Sequence, residues 1–142
     1  MQNYKNHTRY YPFHHFFLTP ITLVIFVWTI ISVFQNENSL GENIINTLLA
    51  TAVVLIALIA RMYAVKNQDR TIRLEERMRY FELTGKSFAE KEAKLRKSQI
   101  IALRFASNEE WLTLMDKAIA ENLSSKEIKM AITNWKADHN RV

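Results

Sequence analysis

Charged residues vanish from two stretches in the first half of the chain. From Phe16 to Phe34 the sequence reads FFLTPITLVIFVWTIISVF, and from Ile44 to Ala60 it reads IINTLLATAVVLIALIA, with Met62–Val65 extending the run past Arg61. At ~1.5 Å per residue each run can cross a hydrocarbon core of ~30 Å. Neither shows the one-sided polarity of a surface helix. The pattern therefore predicts two transmembrane helices, over 14–34 and 44–65, joined by the polar segment 35–43.

Beyond the second run the pattern changes without a break. AVKNQDRTIRLEERMRYFEL has good helix formers and neither Gly nor Pro until Gly85. One long helix is expected from about Asn43 to Leu83, capped near Gly85. Leu74, Met78 and Phe81 form an apolar stripe along it. Asp69 with Arg73, and Glu75 with Arg79, are spaced as i,i+4 ion pairs.

Short helices follow, each announced by Ser with Glu three residues on. Ser87/Glu90 opens FAEKEAKLRK, Ser107/Glu110 opens NEEWLTLMDKAIAEN, and Ser124/Glu127 opens SKEIKMAITNWKADH. Ser98 is placed to cap QIIALRFA between them. Trp111, Leu114, Met115 and Ala118 share one face, and Ile128, Ala131, Ile132 and Trp135 share another. With Ile100, Ile101, Leu103 and Phe105 they make a small helical core, or a docking surface in the case of the two Trp. So small a domain is marginal alone and is expected to dock on the long helix or on a partner.

The fold class is thus an all-α membrane protein. Its parts are an interfacial N-terminal segment (1–13), the two spans with their external loop, a basic juxtamembrane segment (66–97) and a helical cytoplasmic tail (98–142). Orientation follows from charge. Of the 19 Lys and Arg residues, Lys5 and Arg9 precede span one and all others lie from Arg61 onward. The segment 35–43 has none, so the positive-inside rule puts both ends in the cytoplasm. Tyr4, Tyr10, Tyr11, Phe13, Phe16, Phe17 and Tyr63 suit the headgroup zone. Pro12 would end an irregular lead-in. Span one is longer than a signal peptide's apolar core and no A-x-A-like site follows it, so it is not expected to be cleaved.

Residues 61–97 hold eleven basic and six acidic side chains, whereas 98–142 hold six of each. The excess therefore lies beside the membrane, where Lys5, Arg9, Arg61, Lys66, Arg70 and Arg73 would meet anionic headgroups. The balanced tail speaks against nucleic acid, including DNA binding by the helices Gln99–Ala106 and Asn108–Asn122. Small residues at seven-residue spacing, Thr22 with Thr29 and Ala50, Ala57 with Ala64, suit a packing seam in which hydroxyls bond across helices. Contact within the hairpin and contact between two copies both fit that seam.

The 142-residue chain has no Cys and only two Gly and two Pro, which rules out disulfides, thiolate metal sites and phosphate-binding glycine loops. Its mean hydropathy of −0.13 averages an apolar half with a polar one. His14 and His15, with His7 before them and His139 far along the chain, are the only candidates for cofactor ligation, and span two offers no facing His. No acid lies within either span. Glu75/Glu76 and Glu109/Glu110 read as solvated helix positions. No catalytic residue, cofactor, metal or small-molecule substrate is identified.

QNYKNHTRYYPFHHF, KNQDRTIRLEERMR, SQIIALRFAS and NWKADHNRV together resemble an uncharacterised domain-of-unknown-function family of small two-span membrane proteins of Bacteroidota-type bacteria. The resemblance covers nearly the whole chain and implies a bacterial inner membrane, but no activity. Two functions fit. One is a non-enzymatic accessory subunit or scaffold, whose partners are the bilayer and a protein or a second copy. The other is a redox or transport component that uses His14 or His15.

Overall fold

The computed structural model describes residues 4, 11–35 and 39–138, and all regular elements among them are helical. A π-helical turn (His14–Leu18) leads into α1 (Thr19–Gln35). Then follow α2 (Leu40–Thr84), α3 (Ala89–Glu92), α4 (Lys97–Leu103), α5 (Asn108–Ala120) and α6 (Ser125–Ala131). Contacts divide these residues into two units, one over 11–65 and one from 66 onward. Lys5, Arg9, His7 and His139 lie outside the described residues.

In the first unit, helix begins at Pro12 itself rather than after it, and residues 5–10 of the expected irregular lead-in lie outside the described residues. Proline suits a first helical position, where its missing N–H has no partner to lose. Pro20 is different, because an interior proline clashes with the preceding turn and cannot donate. The chain meets this with the wider π turn: the Thr19 N–H and its hydroxyl both go to the His14 carbonyl, the latter at 2.8 Å.

Two helices, His14–Gln35 and Leu40–Thr84, are long and apolar enough to cross a membrane, and only 6 % of each apolar window is buried. Along α2 the less exposed positions are Asn43, Thr47, Ala50, Thr51, Val54, Ala57, Arg61 and Ala64. They repeat near 3.5 residues, the period of a helix-packing seam. Thr22 and Ala50 are buried, while Thr29, Ala57 and Ala64 are half-buried. The hydroxyls, however, bond within their own helices. Thr22 donates to Leu18 O and Thr29 to Phe26 O, both at 2.9 Å, and Thr47 donates to Asn43 O at 2.8 Å. A side-chain bond between the helices is made by Asn43 Nδ2, which donates to Ser32 O at 3.0 Å. A cleft of about 470 Å³ opens beside that bond, between Thr22, Trp28, Thr29 and Ala50.

In the second unit α2 turns one face to the core. Ile72 and Tyr80 on that face are buried; Tyr80 joins Phe88, Leu95, Ile100, Leu103, Phe105, Trp111, Met115, Ile128 and Ile132 in one cluster. The segment 66–97 thus supplies part of the core. Leu74, Met78 and Phe81 point the other way. α2 ends at Gly85, whose φ of +68° is the left-handed C-cap for which glycine carries no steric penalty; its N–H donates to Phe81 O at 2.7 Å.

The short helices depart from their expected caps. The Ser87/Glu90 box is not formed: Ser87 Oγ accepts from Ala89 N–H at 3.3 Å, and only one turn, Ala89–Glu92, follows. Ser98 lies inside α4. Buried Gln99 takes over there, accepting the Arg96 N–H at 2.7 Å and donating to Leu123 O at 2.8 Å. Ser107 stands at the start of α5 without a side-chain cap bond. Ser124 and Glu127 do form the reciprocal box, at 3.2 and 2.7 Å.

The helix expected through 139 stops at Ala131. Ile132 is extended, the backbone bends at Thr133 and Asn134, and the segment then pairs with 105–107 through Ser107 N–H to Asn134 O at 3.0 Å and Lys136 N–H to Phe105 O at 2.8 Å. Glu110 holds the corner by accepting the N–H groups of Thr133 and Asn134, each at 3.0 Å. Burial alone would raise the Glu110 carboxyl's pKa; these bonds and the Thr133 hydroxyl overrule it and hold the pKa low.

Candidate functional site

The face that α2 turns to the tail core carries two ionisable side chains among its apolar ones. Glu76 and Arg79 are 4 % and 7 % exposed. This corrects the reading of Glu76 as a solvated position; Glu75 and Glu109 are exposed. Arg79 is anchored by Nε to Asn108 Oδ1 at 2.8 Å and by Nη2 to the Ala106 carbonyl at 2.6 Å. Its guanidinium lies 5.1 Å from the Trp111 ring centroid, a cation–π contact. One cation thus ties α2 to the start of α5 and to the 105–107 segment.

Glu76 is less well provided for. Its Oε2 lies 3.7 Å from Arg79 Nη1, and both atoms are buried without a hydrogen bond. Burial pushes the carboxyl up to about 7, against the opposing pull of Arg79. The Trp111 indole N–H also favours the ionised form, from beside the carboxylate but outside hydrogen-bonding geometry. Burial likewise lowers the Arg79 pKa. A cavity of about 490 Å³ adjoins the pair, walled also by Arg104, Asn108, Lys136 and Asp138. Arg104 reaches Asp138 at 3.3 Å. With donors and acceptors of both signs, this open pocket is a polar joint between α2, α5 and the 136–138 segment.

A second cluster clamps one flank of α2. Arg73 and Arg77 both close on the Glu92 carboxylate, Arg77 through Nε at 2.7 Å and Nη2 at 3.0 Å, and Arg73 through Nε at 3.0 Å and Nη2. The Arg77 bond is the main reason the Glu92 pKa falls. Lys97 reaches Asp69 at 2.7 Å. The expected pair Asp69–Arg73 is therefore replaced by longer-range ones, because α3 and α4 bring Glu92 and Lys97 to that helix surface; in place of Glu75–Arg79, Arg79 faces Glu76 one turn away.

Of the six cations expected to face headgroups, Arg73 is engaged by Glu92, Lys66 and Arg70 are exposed, and Arg61 is half-buried. Trp111, Leu114, Met115, Ile128 and Ile132 are all core, with Trp111 fully enclosed; Trp135 is half-buried and stacks on Phe105 at 5.1 Å. Ala131 is exposed. His14 and His15 stand edge to face, 5.2 Å between ring centroids, and His15 Nδ1 lies 3.0 Å from Tyr11 O. Among the described residues no cluster of three or more His, Asp or Glu could hold a metal ion.

Sequence reasoning missed Glu76, Arg79, Arg104, Asn108 and Asp138. The available signal was phase: Ile72, Glu76, Arg79 and Tyr80 share one face. The stripe Leu74–Met78–Phe81, noted for its apolar spacing, is the exposed side.

The chain belongs, over residues 1–142, to a family of unknown function, DUF6526. No curated protein and no solved structure matches it.

Proposed function

We propose that this is an integral inner-membrane protein of bacteria, a hairpin anchor with both ends in the cytoplasm, whose helical tail serves as a non-enzymatic accessory subunit or scaffold. The observation that carries the reading is the surface of the first unit. Val24, Trp28, Phe34, Leu48, Leu49, Ile56 and Leu58 are each at least half exposed. So large an apolar surface is unfavourable in water and is at no disadvantage in lipid. The charge asymmetry around 35–43 supports the orientation. The tail supports the scaffold role: its polar joint is engaged in holding helices together, and its small core favours association.

Because the chain has no Cys, Ser39→Cys and Ser98→Cys provide clean probes. A membrane-impermeant maleimide applied to intact spheroplasts should label position 39 and spare position 98 until the membrane is opened. Labelling of both before lysis, or release of the protein by alkaline carbonate, would refute the topology. Purification in mild detergent with mass spectrometry tests the accessory role; a partnerless, catalytically active protein would refute it.

A second reading takes His14 and His15 as ligands or proton carriers, and is favoured by their placement side by side on a π-helical turn. An absorbance band in the visible range, lost in His14→Ala or His15→Ala, would support it.

A further inference from the structure

The outward face of α2 in the second unit is apolar where a solvated helix is polar. Leu74, Met78 and Phe81 are 58 %, 64 % and 62 % exposed. They fall at i, i+4 and i+7, opposite the face that holds Ile72, Glu76, Arg79 and Tyr80. In heptad terms Leu74 and Phe81 take d positions and Met78 takes an a position.

The charges beside this stripe are sorted by sign. Arg70 and Arg77 occupy g positions on one edge; Glu75 and Glu82 occupy e positions on the other. In a parallel two-stranded pairing, a g residue meets the e residue of the next heptad on the other chain. That register sets Arg70 against Glu75 and Arg77 against Glu82. An antiparallel pairing would set Arg against Arg and Glu against Glu. An anionic lipid surface would repel the acidic edge.

We propose that this face is the seam of a parallel homodimer, closed by the Leu74–Met78–Phe81 stripe of a second copy and flanked by Arg70–Glu75 and Arg77–Glu82 pairs between chains. For its energetics the proposal rests on the membrane reading. A seam of little more than one heptad is too short to associate in dilute solution. Two copies inserted the same way into one bilayer meet in parallel, at one depth, and at raised effective concentration. Arg77 already grips Glu92 through Nε and Nη2. Its Nη1 hydrogens remain for Glu82 of the second copy, and Glu92 also keeps Arg73.

The test uses single-cysteine variants of the full-length protein in its own membranes, oxidised with copper phenanthroline. Leu74→Cys and Phe81→Cys should each give a disulfide dimer. The two variants, co-expressed with different tags, should give no 74–81 product. Lys117→Cys, exposed on α5, should stay monomeric. In the Leu74→Cys background, Arg70→Glu should lower the dimer yield about fivefold to tenfold by turning two exposed attractions into repulsions, and adding Glu75→Arg should restore it. A 74–81 product would overturn the parallel register. Absence of dimer from protein still in the carbonate-resistant pellet would overturn the seam and leave the membrane reading standing. Quenching of a fluorophore at Met78→Cys by spin-labelled lipid would assign the stripe to the bilayer and overturn the seam. Release by carbonate would overturn the membrane reading separately, whatever the cross-links show.

Discussion

Inside the tail, Glu76 Oε2 and Arg79 Nη1 stand 3.7 Å apart, one turn from each other on α2, and neither closes a hydrogen bond to the other. The pair is attractive, yet burial outweighs the attraction at the carboxyl and lifts its pKa from 4.5 to about 7. Between those values the folded tail holds a proton that the unfolded chain has lost. Stability from this group is thus fully present below about 4.5 and is lost as pH rises through about 7. Glu76→Gln should abolish that slope and stabilise the tail at pH 8 by up to about 3 kcal/mol, the order of magnitude of the shift. Urea unfolding of the detergent-solubilised protein, followed by near-ultraviolet circular dichroism at pH 5 and 8, checks it. An unchanged pH slope in the variant would show that another group is responsible.

Ser124 and Ser107 occupy equivalent places before α6 and α5, but only Ser124 makes the cap bond. Ser124→Ala should cost about 1 kcal/mol. Ser107→Ala removes a hydroxyl that makes no cap bond, so it should cost clearly less than Ser124→Ala. Equal losses in the two variants, measured by urea midpoint, would contradict this assignment.

Gly85 carries α2 into the turn before α3 with φ at +68°. No atom crowds a Cβ built there, so the penalty for Gly85→Ala is conformational alone, about 1 kcal/mol. Gly41, at negative φ with open space around it, should gain slightly from the same change. The thermal midpoints of the two variants should therefore move in opposite directions.

Glu92 gathers two arginines at one carboxylate, with the cations about half exposed to water. Glu92→Ala should destabilise the tail by about 1 kcal/mol, the modest value of solvent-screened pairs. Its pKa is depressed, so the contribution is present above the ordinary Glu range and is lost as pH falls through the lowered value. The gap between wild type and variant should close in acid, opposite to the trend at Glu76.

These two acids also show what the sequence makes legible. Long apolar runs, uninterrupted helix formers and Gly85 define α1 and α2 to within a few residues, because length, charge and backbone freedom are local properties. Ser124/Glu127 is local too, and its cap forms. Glu76 and Glu92 are identical letters on similar helical stretches, and only the packing of α3, α4 and α5 makes one a buried acid and the other an anchor for two cations. The same holds at Ile132. Its spacing from Ile128 fits a helix, yet Glu110 captures the following N–H groups and the backbone bends away from the helix path. Ser107/Glu110 has the same letters as a cap, but Glu110 was drawn away to Thr133 and Asn134.

The pairing of 105–107 with 134–136 gives the tail a built-in seal against partial damage. Trimming back past Lys136 would strip the Phe105 carbonyl of its partner; trimming past Thr133 would also empty the Glu110 carboxylate and uncover Phe105. A clipped chain would then open its core rather than persist as a slightly shortened one. Cellular proteases would meet either an intact molecule or an unfolding substrate, with little in between.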